Sequence, residues 1–276
     1  MKYAISNIAW SPCERLEVYG LLARLGICGL EIAPSLFFQG ADDPLMPDKE
    51  HMANALHDID DYGLTPVSMQ STLFGMGKAE LFGTGMSAET FGMAMRKSIL
   101  LAGELELGNI VFGAPKNRIR PVEMSLEAAT GVAIAKFKEF GELAREQGVI
   151  LGVECNPAAY GGNFLTLYDE TVAFVRQVNH SNIGLTFDLG SMHMLGDEER
   201  IPDVIARDVD LISHVHVSSP FLAPVPSDMV ALNTLITSLK QCGYEGWVSV
   251  EMKRPNQNGL EEIENSLRHL LDVART

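Results

Sequence analysis

The chain of 276 residues has no apolar run close to the ~20 residues that a helix needs to cross a bilayer, so no membrane span is expected. Its opening, MKYAISNIAW, places polar Ser6 and Asn7 where a signal peptide would carry an unbroken apolar core, and no export is expected either. Cysteine is scarce. Cys13, Cys28, Cys155 and Cys242 lie far apart and form no CxxC, a pattern of reduced, packing thiols in a cytoplasmic protein. Positive charge is also in deficit: 21 Lys and Arg face 36 Asp and Glu, for a net charge of −15. Such a surface repels polyanions and attracts metal cations, so neither a nucleic-acid nor an anionic-membrane partner is expected. Linkers, charge blocks and low-complexity segments are missing, and residues 1–276 read as one domain. With 46% hydrophobic and 21% charged residues the chain is neither disordered nor a coiled coil.

What is present is one pattern repeated eight times. KYAISNI is β-prone and ERLEVYGLLARLG has helical apolar spacing; CGLEIA precedes a helix over about 48–62, LTPVSMQ one over 88–102, and GNIVFGA one over 123–147. GVILGVE then precedes 167–178, NIGLTFD a short helix over 198–207, LISHVHV a helix over 228–241, and GWVSVE a helix from 260 onward. Gly26, Gly63, Gly108, Gly148 and Gly243 fall between a helix and the next strand, where a C-cap glycine belongs. Eight strand-helix units close a parallel barrel, so the expected class is α/β and the expected fold a (β/α)8 TIM barrel. The competing doubly wound sheet usually carries a glycine-rich phosphate loop after its first strand, and here that loop reads NIAWSPCER.

In such a barrel the chemistry sits at the carboxyl ends of the strands. Four consecutive strands finish on metal-ligand residue types: Glu154 in VILGVE, Asp188 in GLTFD, His214 and His216 in SHVHVSS, and Glu251 in WVSVE. One carboxylate after a strand is commonly a helix N-cap or a salt-bridge partner. Three carboxylates and an imidazole converging on one mouth would repel each other unless a cation sat among them, and a divalent metal resolves this. His216, nearer the mouth, is the better ligand, while His214 one layer below suits a hydrogen-bonded core or supporting role. Oxygen donors with one nitrogen suit Mn²⁺, Mg²⁺ or Co²⁺, with Zn²⁺ a less typical alternative. Glu154 and Glu251, three strands apart, would approach a substrate from different sides. One could remove a proton beside a metal-polarised carbonyl and the other return one, through a metal-stabilised enediolate.

At these residues the sequence resembles the xylose-isomerase-like superfamily of barrels, in particular the sugar isomerase/epimerase group with ketose 3-epimerases and hydroxypyruvate isomerase. VECNP, GLTFDLGSMH, HVHVSSP and GYEGWVSVEMK carry the likeness, and SNIAW and GLEIAP, with Glu31, look like the first two strands. The resemblance implies that Glu154, Asp188, His216 and Glu251 bind one divalent metal and that the two glutamates transfer protons. It also implies a small-molecule carbohydrate substrate. A homo-oligomer is compatible by analogy with barrels of this class.

The chain departs from that pattern in three places. Ser191 stands where a family histidine usually follows the aspartate, and His193, two residues later, either replaces it as a substrate-binding group or is an ordinary helix-start residue. The loops NPAAYGGNF and SSPFLAPVP lack the substrate-binding Glu and Arg of the 3-epimerases. Cationic handles for a carboxylate or phosphate are available instead at Lys116 and Arg118 and at Lys253 and Arg254, which otherwise read as solvated loop charges. Trp10, Phe37, Phe38 and Phe74 could wall a sugar ring, pack in the core or meet another subunit. Competing activities are a dehydratase of the same superfamily and a non-catalytic sugar-binding barrel. The abasic-site endonuclease branch needs additional histidine ligands, whereas His51, His57 and His269 fall in expected helices.

Overall fold

The computed structural model describes residues 1–225 and 230–276. Eight strands, β1 (Lys2–Ser6), β2 (Gly29–Ile32), β3 (Thr65–Met69), β4 (Asn109–Phe112), β5 (Ile150–Glu154), β6 (Ile183–Asp188), β7 (Ile212–Ser218) and β8 (Trp247–Glu251), follow one another around a closed barrel in that order. The pairs run parallel, as β1 with β8 (Ala4 opposite Ser249) and β7 with β8 (Ser218 opposite Glu251). Between the strands stand α1 (Arg15–Leu25), α2 (Pro34–Phe37), α3 (Lys49–Asp60), α4 (Met86–Glu104), α5 (Leu126–Gln147), α6 (Tyr168–Val178), α7 (Leu189–Leu195), α8 (Ile201–Asp208), α9 (Val230–Gln241) and α10 (Gly259–Arg275). This is the (β/α)8 TIM barrel that the alternation predicts. The expected start of the α9 helix at Asp228 lies outside the described residues.

Local signals account for most boundaries. The Ser125 hydroxyl accepts the Ala128 N–H and starts α5, while Gly26 and Gly148, both at φ 72°, end α1 and α5 in the left-handed region that glycine takes without strain. Gly108 departs from its expected role. Helix α4 ends at Glu104, four residues before Gly108, so the left-handed turn falls on Glu106, at φ 54°, and not on the glycine. Further departures are the short α2, in a stretch that reads as non-periodic, and α7, a helix beginning immediately after β6, because the Asp188 side chain caps it by accepting the Gly190 N–H.

Helix α3 is capped in the same way by Asp48, which accepts the N–H groups of Glu50 and His51. The His51 N–H, with the His51 ring and the Glu50 N–H behind it, holds this carboxyl below the usual aspartate value. A carboxyl whose pKa is lowered by folding stabilises above its ordinary pKa of about 4 and loses that stabilisation as pH falls through the lowered value. Asp48→Ala is therefore expected to lower the melting temperature at pH 7 and to have a smaller effect at pH 2, where the carboxyl carries less charge. An equal loss at both pH values would rule out the charged cap as the cause.

The chain divides into two compact units, Met1–Val67 with Phe187–Thr276, and Ser68–Thr186. The first packs Trp10 edge-on against Tyr19, and Tyr19 against Tyr62, beside the buried Leu21, Leu22 and Ile59. The second is held by a phenylalanine cluster: Phe112 meets Phe137 at 5.0 Å, Phe137 meets Phe174 at 5.2 Å, and Phe82 meets Phe164 at 5.0 Å, all edge-to-face.

Candidate active site

Alternation along β7 puts His214, His216 and Ser218 on one face, and each finds a different partner. His214 Nε2 lies 2.9 Å from Ser249 Oγ on β8 and 3.3 Å from Glu31 Oε1 on β2. His216 is bracketed: its Nε2 lies 3.0 Å from Glu31 Oε2, and its Nδ1 lies 3.2 Å from Glu251 Oε2 at the end of β8. The Ser218 hydroxyl donates to Asp188 Oδ1 in a short hydrogen bond. Glu31, His214, His216 and Ser249 have no exposed surface, and Asp188 and Glu251 have almost none.

The Asp188 carboxylate is tightly framed. Oδ1 also accepts the Gly190 N–H at 3.0 Å, and Oδ2 accepts the Ser191 hydroxyl at 2.8 Å. Asp188 is thus a helix cap, as a lone carboxylate after a strand commonly is, and in the same position a buried anion. Gly190 is required at this point, because a Cβ there would overlap Ser218 Oγ and come within 3.1 Å of the Ser219 carbonyl. Gly190→Ala is expected to cost about 1–3 kcal/mol through overpacking, read as a lower urea midpoint. An unchanged midpoint would mean that Ser218 moves aside at no cost.

Glu31 is the participant whose role the sequence did not reveal. Burial alone would raise its carboxyl pKa, but the charges and hydrogen bonds of His216 and His214 together outweigh that and hold it far below the usual carboxylate range. It is a buried anion, and its partners lie 183 and 185 positions further along the chain. Alternation and charge pattern do not report such a pairing.

In the second unit Glu154 ends β5, buried, with Oε2 accepting the Asn156 side-chain N–H at 2.8 Å. Gly113 makes room for it: a Cβ at that position would stand 2.7 Å from Glu154 Oε2. Arg118, expected as a candidate handle for substrate, is wholly buried instead. Its Nη2 donates to the Glu154 carbonyl at 2.9 Å, Asn156 Oδ1 at 3.0 Å and the Leu165 carbonyl at 3.2 Å. Burial lowers its pKa to about 10, and the group stays cationic at neutral pH.

The remaining expected site residues lie at the surface. Lys116 and Lys253 are exposed, and Arg254 is paired bidentately with Glu14 at 2.8 and 2.9 Å. His193 lies in the last turn of α7 with Nδ1 2.7 Å from Glu198 Oε1. Those two side chains line a cavity of about 270 Å³ with Leu189, Ser218, Ser219 and Val225. Trp10, Phe37 and Phe38 are buried, whereas Phe74 is exposed.

The donor chemistry fits a divalent ion. Two ligands at about 2.1 Å from one octahedral ion and at right angles to each other lie about 3 Å apart, close to the 3.2 Å between His216 Nδ1 and Glu251 Oε2. The Glu31, His214 and His216 donor atoms also lie within 4.8 Å of one another, so buried Glu and His groups able to hold a metal are present.

No curated protein matches the chain by sequence. Among solved structures, the D-psicose 3-epimerase of Clostridium cellulolyticum H10, solved with D-tagatose, superposes with a TM-score of 0.80 at 16% identity over 99% of both chains. The 3-keto-D-glucoside 4-epimerase YcjR of E. coli gives 0.77 at 16% identity, again over 99% of both. IolI, solved with a bound zinc atom, gives 0.70 at 18% identity over 99% of this chain and 98% of that one. At these identities the likeness is one of fold. The family model of the xylose isomerase-like TIM barrel matches residues 20–273, and the chain belongs to that family.

Proposed function

We propose that the protein is a divalent-metal-dependent isomerase or epimerase of a small sugar, sugar acid or sugar phosphate. The observation that carries this reading is the series of buried ligand-type residues at the carboxyl ends of four consecutive strands, Glu154, Asp188, His216 and Glu251. The sugar epimerases among the solved neighbours support the substrate class. These four side chains would hold the ion, Mn²⁺, Mg²⁺ or Co²⁺ by donor type, with Zn²⁺ as in IolI the alternative.

When bound, the ion would polarise the substrate carbonyl and acidify the neighbouring C–H. Glu154 and Glu251 carry the protons: one carboxylate removes the proton beside the carbonyl, and the other delivers a proton to the opposite face or the adjacent carbon. Ser191, Ser218 and the Gly190 N–H keep the Asp188 carboxylate oriented. His193, steadied by Glu198, would meet a substrate hydroxyl, and Lys116 and Lys253 would meet a carboxylate or phosphate.

The test is a panel of ketoses, aldoses, sugar acids and sugar phosphates incubated in D₂O with Mn²⁺, Co²⁺ or Mg²⁺. An isomer of unchanged elemental composition that carries deuterium, and whose formation stops with chelator, is expected. Loss of a water mass would replace this reading by the dehydratase, and ion binding with no turnover of any substrate would replace it by the sugar-binding barrel.

A further inference from the structure

We infer that Glu31 is a positioning residue for His216: it accepts the Nε2–H, fixes the ring tautomer and orientation, and so presents the Nδ1 lone pair on the Glu251 side as the metal-binding atom. The inference rests on the metal-dependent reading above and adds a residue from β2, distant in sequence from the strands that carry the four ligands.

Three observations carry it. Both ring nitrogens of His216 face a carboxylate, at 3.0 Å for Nε2 to Glu31 and 3.2 Å for Nδ1 to Glu251, so the two sides differ only in their surroundings. Glu31 is sealed, with no exposed surface, while the Glu251 side chain keeps 9% exposure at a strand end. An ion and substrate can therefore reach the Glu251 side, and the Glu31 side is left for a permanent hydrogen bond. Glu31 is itself held in place: its other oxygen lies 3.3 Å from His214 Nε2, which lies 2.9 Å from Ser249 Oγ. The order Ser249, His214, Glu31, His216 is a fully buried chain of contacts ending on the ligand ring. A neutral imidazole held on one nitrogen by a carboxylate binds metal through the other, with raised basicity, and loss of such a partner costs about 10–100-fold in metal affinity.

The same three side chains, Glu31, His214 and His216, could instead hold a second ion of their own, and the experiment separates the two. Calorimetric titration of the metal-free protein with Mn²⁺ is expected to give one ion per chain. Affinity should fall by about 10–100-fold in Glu31→Ala and by less in Glu31→Gln, whose amide oxygen can still accept the Nε2–H. In the unsubstituted protein loaded with Mg²⁺, long-range ¹H–¹⁵N spectra of the imidazole rings should show His216 protonated at Nε2 alone. That measurement needs no variant, so it decides even if Glu31→Ala fails to fold. Equal Mn²⁺ affinity in Glu31→Ala, protonation of His216 at Nδ1, or a second Mn²⁺ per chain that disappears with Glu31 would each overturn the inference while leaving the metal-dependent reading standing. An unsubstituted protein that takes up no divalent ion would bring down both.

Discussion

Glu251→Gln is expected to lower kcat/KM for the accepted sugar by about 10²–10⁴-fold, the usual contribution of a positioned acid or base, with the melting temperature near that of the parent. Glutamine keeps the volume of the buried side chain, and its amide N–H can donate to the lone pair of His216 Nδ1, 3.2 Å from Glu251 Oε2, so packing changes little. What disappears is a negative charge and a proton acceptor. Glu154→Gln is expected to produce a loss of the same order, although its surroundings differ: Asn156 donates to Oε2, and Gly113 leaves the carboxylate its space. Solvent deuterium tells the two variants apart. If one glutamate removes the substrate proton and the other returns it, the variant lacking the remover stops exchange altogether. The variant lacking the donor still washes substrate C–H into C–D while forming no product. Full activity in both variants, or lost stability with unchanged turnover, would leave the carboxylates as structural groups and end the catalytic assignment.

The parts of the site legible in the sequence are those that depend on local order along the chain. Glu154, Asp188 and Glu251 close their strands, and a period-two strand followed by a helix identifies a strand end without any knowledge of neighbours. His214 was readable as a supporting group because it lies two residues before His216 on the same face. Glu31 was visible as an acid inside an apolar run, GLEIA, but its meaning depends on two histidines across the barrel and on burial. Arg118 misled for a similar reason. A cation after a strand reads as a solvated handle, and only the folded loop brings the Glu154 and Leu165 carbonyls to it. Helix α7 was missed because its first residues, Leu189 and Gly190, carry no apolar period, and its start is fixed by the Asp188 cap. Gly108 failed as a cap because α4 stops four residues before it.

Arg118→Met is expected to destabilise the protein by about 2–4 kcal/mol and to lower activity as well. Replacing a buried ion pair by apolar groups can be neutral when both partners are replaced. Here only the cation would go, while its acceptors, the Glu154 and Leu165 carbonyls and Asn156 Oδ1, would stay buried. The Leu165 carbonyl keeps the Asn156 backbone N–H at 3.2 Å, so the loss falls mainly on the Glu154 carbonyl and Asn156 Oδ1, and each acceptor left unsatisfied costs about 1–3 kcal/mol. Relief from burying a guanidinium offsets part of this, and the offset is real, because Nε and Nη1 of Arg118 are buried without hydrogen-bond partners. The activity loss follows from position. Leu165, at φ 55°, is held in a left-handed backbone conformation that an unassisted leucine disfavours, and Arg118 grips its carbonyl together with that of Glu154. Once the grip is released, the segment after β5 can relax, carrying Asn156 and the Glu154 carboxylate out of register. Arg118→Lys should rescue little, since a single ammonium on a flexible stem cannot match a planar guanidinium stacked over Phe112, 5.5 Å from its ring centre. Urea denaturation and steady-state kinetics on the two variants check the argument. A methionine variant with the parental midpoint and parental kcat would show that the β5 loop holds the Glu154 carboxylate in place without Arg118.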